Sequence, residues 1–391
     1  MSPLFDVVVL GAGPAGATAA VALAAKGFTT AVVTKGVTMG VQGLSSRALV
    51  SLTEAGLASA ANCASGPAAR VVFWSGERSQ RGQEGLVERE VFDASLRDSL
   101  VYCLDAAARS TTFADDVWQV ETSVGPIRGR TVLDARGRFA RRSDARGPLL
   151  VSRSLVLKSQ QPRTAQSAIA ALDDGWCWLA MTQSGVVCAQ FVTSARQQLD
   201  REQLALRIRS AAGKLPDFAL PLDQLIAAGS QNACGAVARY SQPSRGPGHL
   251  RIGDAAVAMD PLSGNGIHEA VRSARVAIAA VNSYLHGVPW SVVARFVDER
   301  SRELWRRSVS TAADFYRLQA NWSGAEFWAS AATAYGRAAR EATDRVDGDG
   351  RFEMRPVLNE ERIELRRVWV SNDFPRGVWQ VDGHPITRHE V

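Results

Sequence analysis

The stretch Val7-Val8-Val9-Leu10-Gly11-Ala12-Gly13-Pro14-Ala15-Gly16 decides the fold. Its first four residues form a continuous apolar run, which is typical of a strand buried in a parallel sheet. A glycine-rich turn follows, and then an alanine-rich segment that predicts a helix over residues 15–26, ended by Gly27. Residues 29–34 predict a second strand. A strand, a helix and a strand within about 30 residues are the setting in which a Gly-x-Gly-x-x-Gly turn binds a dinucleotide.

The three glycines of this turn have different physical tasks. Gly11 permits the tight turn, Gly13 lets the backbone approach a pyrophosphate, and Gly16 allows the helix to pack closely on the strand. The first turn of the helix, which includes Ala15, presents backbone N–H groups to the anion. The turn therefore predicts a dinucleotide site.

The end of the second predicted strand departs from the usual pattern. An acidic residue commonly stands there and binds the ribose hydroxyls. This chain has Thr34 and Lys35 instead. A threonine hydroxyl can still bond to the ribose, although more weakly than a carboxylate does.

A second glycine-bearing segment lies far along the chain, after a predicted buried strand at residues 250–252. It contains Asp254 and then Asp260-Pro261-Leu262-Ser263-Gly264-Asn265-Gly266, followed by a predicted helix that begins near Ile267 and extends to about residue 285. Asp254 can accept a hydrogen bond from a ribityl hydroxyl. The glycines allow backbone amides to approach a flat ring, and the positive end of the helix faces any negative charge on that ring. The alternative is an ordinary turn that caps a helix.

These two motifs, with Asp134-Ala135-Arg136-Gly137-Arg138 between them, resemble FAD-dependent monooxygenases of the flavin-dependent halogenase-like branch of the aromatic hydroxylase superfamily. The resemblance covers about residues 5–285. It implies an α/β fold, with a Rossmann-type FAD-binding domain, an inserted and mainly antiparallel β-sheet substrate domain, and a helical C-terminal region. Arg47 and Arg89 lie where such proteins often place an arginine near the cofactor phosphates, although each arginine could instead form a surface ion pair. The implied FAD contacts are Gly11, Gly13, Ala15, Gly16, Thr34, Lys35, Arg47, Arg89, Asp254, Pro261, Gly264, Asn265, Gly266 and Ile267.

The resemblance also divides the chain. We expect the FAD-binding domain to comprise residues 1–70, 86–150 and 236–290, and the substrate domain residues 71–85 and 151–235. Residues 291–391 form the expected C-terminal helical region. Within these parts, residues 76–85 have the polar composition of a turn, and residues 92–109 predict one helix.

The reaction implied by the resemblance is hydroxylation of an aromatic substrate, an indole or a peptidyl tryptophan among the candidates, through a flavin hydroperoxide. Trp176 and Trp178 alternate along a predicted strand and therefore share one face, where they would form a flat wall for the substrate or pack in the core. Halogenases place a lysine in the substrate tunnel, and none of the four lysines stands in a matching motif. A halogenase, a flavin reductase similar to geranylgeranyl reductases and a non-catalytic flavin-holding assembly factor are the alternatives.

Two residues, one within the second motif and one just after it, are candidates for proton transfer. His268 lies in the first turn of the predicted helix, where an imidazole could act as a general base. Asp260 is the rival candidate for the same task. The alternative for His268 is a packing or capping role.

The partners follow from what the sequence does and does not contain. No second Gly-x-Gly-x-x-Gly exists for a nicotinamide domain, which favours reduction of FAD by a separate flavin reductase over direct use of NAD(P)H. The basic and aromatic pattern of a nucleic-acid module is lacking. The C-terminal aromatic residues, such as Phe327 and Trp328, are expected to pack in the core or to dock a peptide substrate. In its general sequence character, rather than in a shared motif, this segment resembles flavoprotein monooxygenases of tryptophylquinone cofactor biogenesis.

Cellular location is inferred from simple features of the sequence. The N-terminus has neither a basic region nor a cleavage site typical of a secretory signal. The apolar residues 7–25 are interrupted by glycine and proline and therefore do not predict a membrane span. Five widely spaced cysteines, without a zinc-ligand pairing, fit reduced and mostly buried thiols. We expect a cytoplasmic protein without a bound metal.

Overall fold

The computed structural model describes residues 3–36, 39–140, 143–158, 163–216, 218–342, 350–371, 374, 376–381 and 384–385. In chain order, its strands are β1 (Leu4–Leu10), β2 (Thr30–Thr34), β3 (Val41–Ser45), β4 (Ser65–Trp74), β5 (Glu77–Glu88), β6 (Cys103–Asp105), β7 (Ala108–Ala114), β8 (Val117–Thr122), β9 (Gly125–Asp134), β10 (Ala145–Arg146), β11 (Leu150–Lys158), β12 (Gln166–Leu172), β13 (Gly175–Met181), β14 (Val186–Ser194), β15 (Ser230–Gly235), β16 (Arg239–Tyr240), β17 (Ser244–Gly246), β18 (His249–Arg251), β19 (Val257–Ala258), β20 (Arg351–Asn359), β21 (Arg362–Val370), β22 (Gln380–Val381) and β23 (His384–Pro385). Its α-helices are α1 (Pro14–Ala25), α2 (Ser46–Glu54), α3 (Ala58–Ala61), α4 (Arg89–Asp98), α5 (Arg201–Gly213), α6 (Leu222–Ala228), α7 (Gly266–Leu285), α8 (Trp290–Ser323) and α9 (Glu326–Glu341). Three short 3-10 helices lie at Gly137–Phe139, Gly253–Ala255 and Pro261–Ser263.

The first sheet has the parallel core of a Rossmann-type fold. Its main path is β17-β18-β9-β1-β2-β6, and the β7–β8 hairpin extends it from β9. Strand β1 pairs in parallel with β2 and β9, and β9 pairs in parallel with β18. The apolar run 7–10 is fully buried at the centre of this sheet, and α1 and α7 share a hydrophobic cluster with it. Both glycine motifs therefore lie at the carboxyl ends of these strands.

The second sheet has eight strands in the order β15-β11-β14-β13-β12-β4-β5-β3. Its pairings are antiparallel except for the parallel contact of β12 with β4. One face packs under α5 and α6. We call the opposite face the inner face; it is marked by Ala68, Ile169, Trp178 and Val192, which share a cluster with α8 and α9.

Two elements differ from the sequence-based expectation. The polar segment 76–85 belongs to strand β5, because its polar part lies at the solvent-exposed end and only residues 84–87 are buried. The expected helix over residues 92–109 ends at Asp98, and residues 103–105 instead pair in parallel with β2. In both places, pairing with a distant strand outweighs the local pattern.

The C-terminal part begins with the expected helices α8 and α9, but it then forms a hairpin, β20–β21, within the region 291–391 that was expected to be helical. Strand β21 is buried on both faces in different parts: Ile363 joins the cluster of the first sheet, whereas Val368 and Val370 pack with Val357 of β20. The hairpin turn is tied to α7, since the Ser283 hydroxyl accepts a hydrogen bond from the Ile363 N–H at 2.8 Å. The α/β fold class is confirmed, while the division into domains stays a prediction.

Two further expectations concern the surface and the cysteines. Among the described residues, no helix combines the length and apolar character needed to cross a membrane. Cys177 and Cys188 are buried, but Cys103 and Cys234 are exposed, so the expectation of mostly buried thiols is wrong. Both exposed cysteines lie on short strands at the outer ends of their sheets, where the described structure leaves one side of the strand uncovered.

Candidate flavin site

The turn between β1 and α1 contains two glycines at which a Cβ would clash with the backbone and one glycine that faces open space. Gly11 has a φ of +103°, and a Cβ there would lie 2.6 Å from the carbonyl oxygen of Ala135. A Cβ at Gly16 would lie 1.9 Å from the Gly11 oxygen, so only glycine allows this packing of helix on strand. At Gly13 a Cβ would meet nothing within 4 Å, and no side chain caps the helix that begins next to it. The backbone N–H groups in the first turn of α1, which includes Ala15, are not capped by a side chain. A pyrophosphate fits the open space next to them.

The end of β2 places the predicted ribose contacts at the same edge of the sheet. Thr34 is half-buried and Lys35 is exposed. The Thr34 carbonyl accepts a hydrogen bond from the Ala106 N–H at 2.9 Å. Asp105, in β6, is the register partner of Thr34 and is exposed. A carboxylate thus reaches this edge from the neighbouring strand, and sequence reasoning missed it because residues 103–105 were assigned to a helix.

Arg138 joins three segments beside the second motif. Its Nε donates to Asp254 Oδ2 at 3.1 Å, and its terminal nitrogens donate to the carbonyl oxygens of Val237 at 2.9 Å and Met259 at 2.7 Å. Burial raises the pKa of Asp254, whereas the Arg138 guanidinium opposes that shift. The Asp254 side chain keeps 31% of its surface exposed, which leaves one side of the carboxylate accessible to a ligand hydroxyl. The sequence identifies Arg138 as part of a motif, but it contains no signal of the hydrogen bond from Arg138 to Asp254.

The loop before α7 has the openness expected of a ring-binding segment. Gly264 has a φ of +62°, and a Cβ at Gly266 would meet nothing within 4 Å. Pro261 begins a 3-10 helix, Asn265 is exposed, and no side chain caps α7. Ile267 is buried and fixes the first turn of the helix against the core. The loop therefore presents backbone groups and the positive end of a long helix to the same space.

Asp260 is the centre of a buried hydrogen-bond network. Its Oδ1 accepts from the Leu262 N–H at 2.8 Å, and its Oδ2 accepts from the hydroxyls of Tyr316, at 3.1 Å, and Tyr335. The residue is 3% exposed. Burial raises its pKa, and the hydrogen bond from Tyr335 is the largest opposing influence. Helices α8 and α9 thereby hold the loop that carries the second motif, a connection with no signal in the sequence.

His268 lies one residue past the buried Ile267, in the first turn of α7. Its Nδ1 is 3.1 Å from the Ser51 hydroxyl of α2, and the ring is half-buried. The contact fixes the ring orientation between α2 and α7. Its role in proton transfer stays a prediction.

The two predicted arginines differ in their surroundings. Arg47 is exposed in the first turn of α2. Arg89 is a half-buried residue whose guanidinium donates to both Asp93 oxygens, at 2.8 and 3.1 Å, and also to Gln42. Its ion pair is therefore largely buried rather than a surface pair. Contact of either arginine with the cofactor stays a prediction.

Trp176 and Trp178 share the inner face of the second sheet, as their alternation predicts. Trp176 is 2% exposed, and its indole N–H donates to the Tyr316 hydroxyl at 3.3 Å. Trp178 is 9% exposed and lies opposite Ile169 in the register of β12 and β13. The structure thus links Trp176 to the network of Asp260, and contact of either ring with a substrate stays a prediction.

Comparisons with known proteins agree with this geometry. The FAD binding domain family matches residues 6–53. The peptidyl tryptophan dihydroxylase QhpG, essential for tryptophylquinone cofactor biogenesis, is 31% identical, with a TM-score of 0.85 over 98% of this chain and 91% of QhpG.

More distant structures share the fold. The flavin-dependent halogenase CmlS has a TM-score of 0.69 at 16% identity, over 99% of this chain and 88% of CmlS. The flavin-dependent brominase Bmp2 has a TM-score of 0.63 at 16% identity, over 81% of this chain and 87% of Bmp2. No curated protein sequence matches the chain. The expected FAD cofactor is confirmed, and the chain belongs to the family of FAD-dependent, halogenase-like monooxygenases that includes QhpG.

Proposed function

We propose that this monooxygenase hydroxylates a tryptophan side chain within a peptide or protein. The observation that carries the proposal is the 31% identity to a peptidyl tryptophan dihydroxylase over 98% of this chain. That coverage includes α8 and α9, which contact the second motif through Tyr316 and Tyr335. The resemblance therefore extends beyond the FAD-binding unit to the helices that surround the candidate substrate space.

The chain's own residues have defined tasks in this proposal. Bound and reduced FAD supplies the activation of dioxygen for transfer of an oxygen atom to an aromatic ring. Gly13 and the start of α1 hold the pyrophosphate, while Asp254 binds a ribityl hydroxyl from a position fixed by Arg138. The apolar part of the inner face, with Trp178, excludes water from the reacting ring.

We assign proton transfer to His268 rather than to Asp260. Both Asp260 oxygens already accept hydrogen bonds, and the residue is 3% exposed, which suits a positioning role for the loop. His268 has one ring nitrogen near Ser51, so the other is the candidate to accept or return a substrate proton. The reductant in this proposal comes from a separate flavin reductase, with direct NAD(P)H use as the alternative, and the protein acts in the cytoplasm.

The test uses FAD-loaded protein, chemical reductant, isotopically labelled dioxygen and tryptophan-containing peptides or a whole partner protein. The proposal requires that mass spectrometry finds one or two labelled oxygen atoms on a tryptophan residue. Incorporation of added chloride or bromide would establish a halogenase instead. Substrate reduction without dioxygen would establish a flavin reductase.

A further inference from the structure

Among the polar groups that are buried on the inner face without a hydrogen-bond partner in the described part of the chain, three lie on neighbouring strands. They are Arg70 Nε, Glu84 Oε1 and the Ser167 hydroxyl. Folded proteins leave few buried polar atoms unpaired, because each loses its hydrogen bonds to water. Three such atoms on adjacent strands therefore need an explanation.

The strand register places the three side chains together. Ser167 of β12 is the partner of Arg70 in β4, and Glu84 of β5 is the partner of Ala68, two residues before Arg70. Ala68 belongs to the cluster of the inner face, which also includes Trp178. The polar groups thus lie on the face that carries the candidate substrate wall.

Arg70 extends from this sheet to the second glycine motif. Its terminal nitrogens lie 3.7 and 3.8 Å from the position that a Cβ would take at Gly264. The side chain makes neither an ion pair nor a hydrogen bond with any described residue. A guanidinium only donates hydrogen bonds, so Arg70 is available to an acceptor oxygen that none of the described residues supplies.

Glu84 provides the complementary chemistry. Glu84 is 8% exposed, and a Cβ at Gly43 would lie 2.3 Å from the Glu84 Oε2. Glycine at position 43 therefore leaves the space that the carboxylate occupies. An ionised carboxylate only accepts hydrogen bonds, so Glu84 requires an N–H or O–H group.

We propose that Arg70 and Glu84 form the polar recognition site for the substrate, with Ser167 beside them. The ligand is an aromatic amino-acid unit that presents an acceptor oxygen to Arg70 and an N–H group to Glu84 while its ring lies near Trp178. The two charges balance, so the site favours an uncharged or zwitterionic unit over an anion. This inference rests on the proposed function. In a peptidyl tryptophan, the acceptor oxygen for Arg70 is a peptide carbonyl oxygen, and the N–H group for Glu84 is the indole N–H.

The test measures ligand binding by calorimetry on the oxidised, FAD-loaded protein, without turnover. The probes are N-acetyl-tryptophan amide, for a peptide unit, and free tryptophan, for a zwitterion. In Glu84→Gln and Arg70→Met we expect the dissociation constant to rise about tenfold to a hundredfold, with FAD content unchanged. Arg81→Met and Glu77→Gln, at exposed positions of β5, are the matched controls and should bind as the wild type does.

A second measurement separates recognition from a structural role. Glu84 has no hydrogen-bond partner among the described residues to lose in the ligand-free protein, so Glu84→Gln should unfold at an equal or higher temperature while binding the probe more weakly. A Gly43→Ala side chain would displace the carboxylate and should weaken binding in the same direction. Wild-type affinity in both Glu84→Gln and Arg70→Met would overturn the proposal, as would loss of FAD in both, or failure of every probe to bind the wild type.

The two proposals fail in distinguishable ways. If N-acetyl-tyrosine amide binds in a manner that depends on Arg70 and Glu84 and the tryptophan probes do not bind, the recognition site stands and tryptophan is the wrong substrate. If labelled oxygen enters tryptophan but both variants bind the probes normally, the function stands and the recognition site is wrong.

Discussion

Removal of one hydroxyl group, by Tyr335→Phe, tests whether the C-terminal helices hold the loop of the second motif. Asp260 is 3% exposed, and its carboxylate receives two tyrosine hydroxyls and one backbone N–H. Loss of one hydrogen bond to a buried charged group costs about 1.5–3 kcal/mol. We therefore expect the free energy of unfolding to fall by about that amount at pH 8.

The pH dependence gives this prediction its sign. Burial raises the folded-state pKa of Asp260, and the Tyr335 hydroxyl opposes the shift, so the substitution raises that pKa further. A raised carboxyl pKa means that the folded state retains its proton where the unfolded state has lost it, and stability falls as pH rises from the unfolded pKa through the folded pKa. The loss in Tyr335→Phe should therefore be largest at pH 8 and should shrink towards about pH 4, the ordinary range of aspartate.

Urea unfolding at pH 8 and pH 5 measures the effect, with FAD release followed by fluorescence in the same samples. Tyr102→Phe removes a hydroxyl from an exposed side chain and is the control. In an Asp260→Asn background, the cost of Tyr335→Phe should drop because the buried charge is gone. An equal loss at both pH values, undiminished in that background, would refute the role of Asp260 as the charged partner.

Other substitutions test the remaining contacts. Gly13→Val should fold, because its side chain meets open space, but should purify without FAD; a normal absorbance spectrum at the flavin wavelengths would contradict the pyrophosphate site. Asp254→Ala should weaken FAD binding about tenfold, since it removes a hydrogen bond of roughly 1.4 kcal/mol to a ribityl hydroxyl. An unchanged FAD dissociation constant in equilibrium dialysis would count against that contact. His268→Ala should lower kcat about a hundredfold and flatten its pH profile. A rate and profile equal to those of the wild type would leave His268 with packing alone.

The sequence predicts the parts of the site that are encoded in short, continuous segments. The turn at Gly11–Gly16 and the loop at Gly264–Gly266 each combine a strand, glycines and a helix start within a few residues, so their backbone geometry follows from local chemistry. These two segments also carry the family resemblance, which implies the α/β class and the FAD cofactor. The comparisons confirm both expectations.

The remaining parts depend on contacts between distant residues. Arg138 and Asp254 are separated by 116 positions, and Tyr335 lies 75 positions from Asp260. No local sequence pattern therefore predicts either contact. Strand β5 is similar, since its polar residues look like a turn until β3 and β4 pair with it on both sides. Burial of a polar side chain such as Glu84 is decided by this pairing and has no separate signal in the sequence.

The order of strands in the first sheet has a consequence for synthesis on the ribosome. Strands β1 and β2 emerge early, whereas β18 and the loop before α7 follow more than two hundred residues later. At translation rates of about 5–20 residues per second, roughly ten to fifty seconds pass between synthesis of the first glycine turn and synthesis of the loop before α7. Throughout that interval the apolar run 7–10 can pair with β2 and later with β9, but it lacks the cover of α7. Nascent chains arrested before residue 250 should therefore recruit chaperones and fail to retain the yellow cofactor.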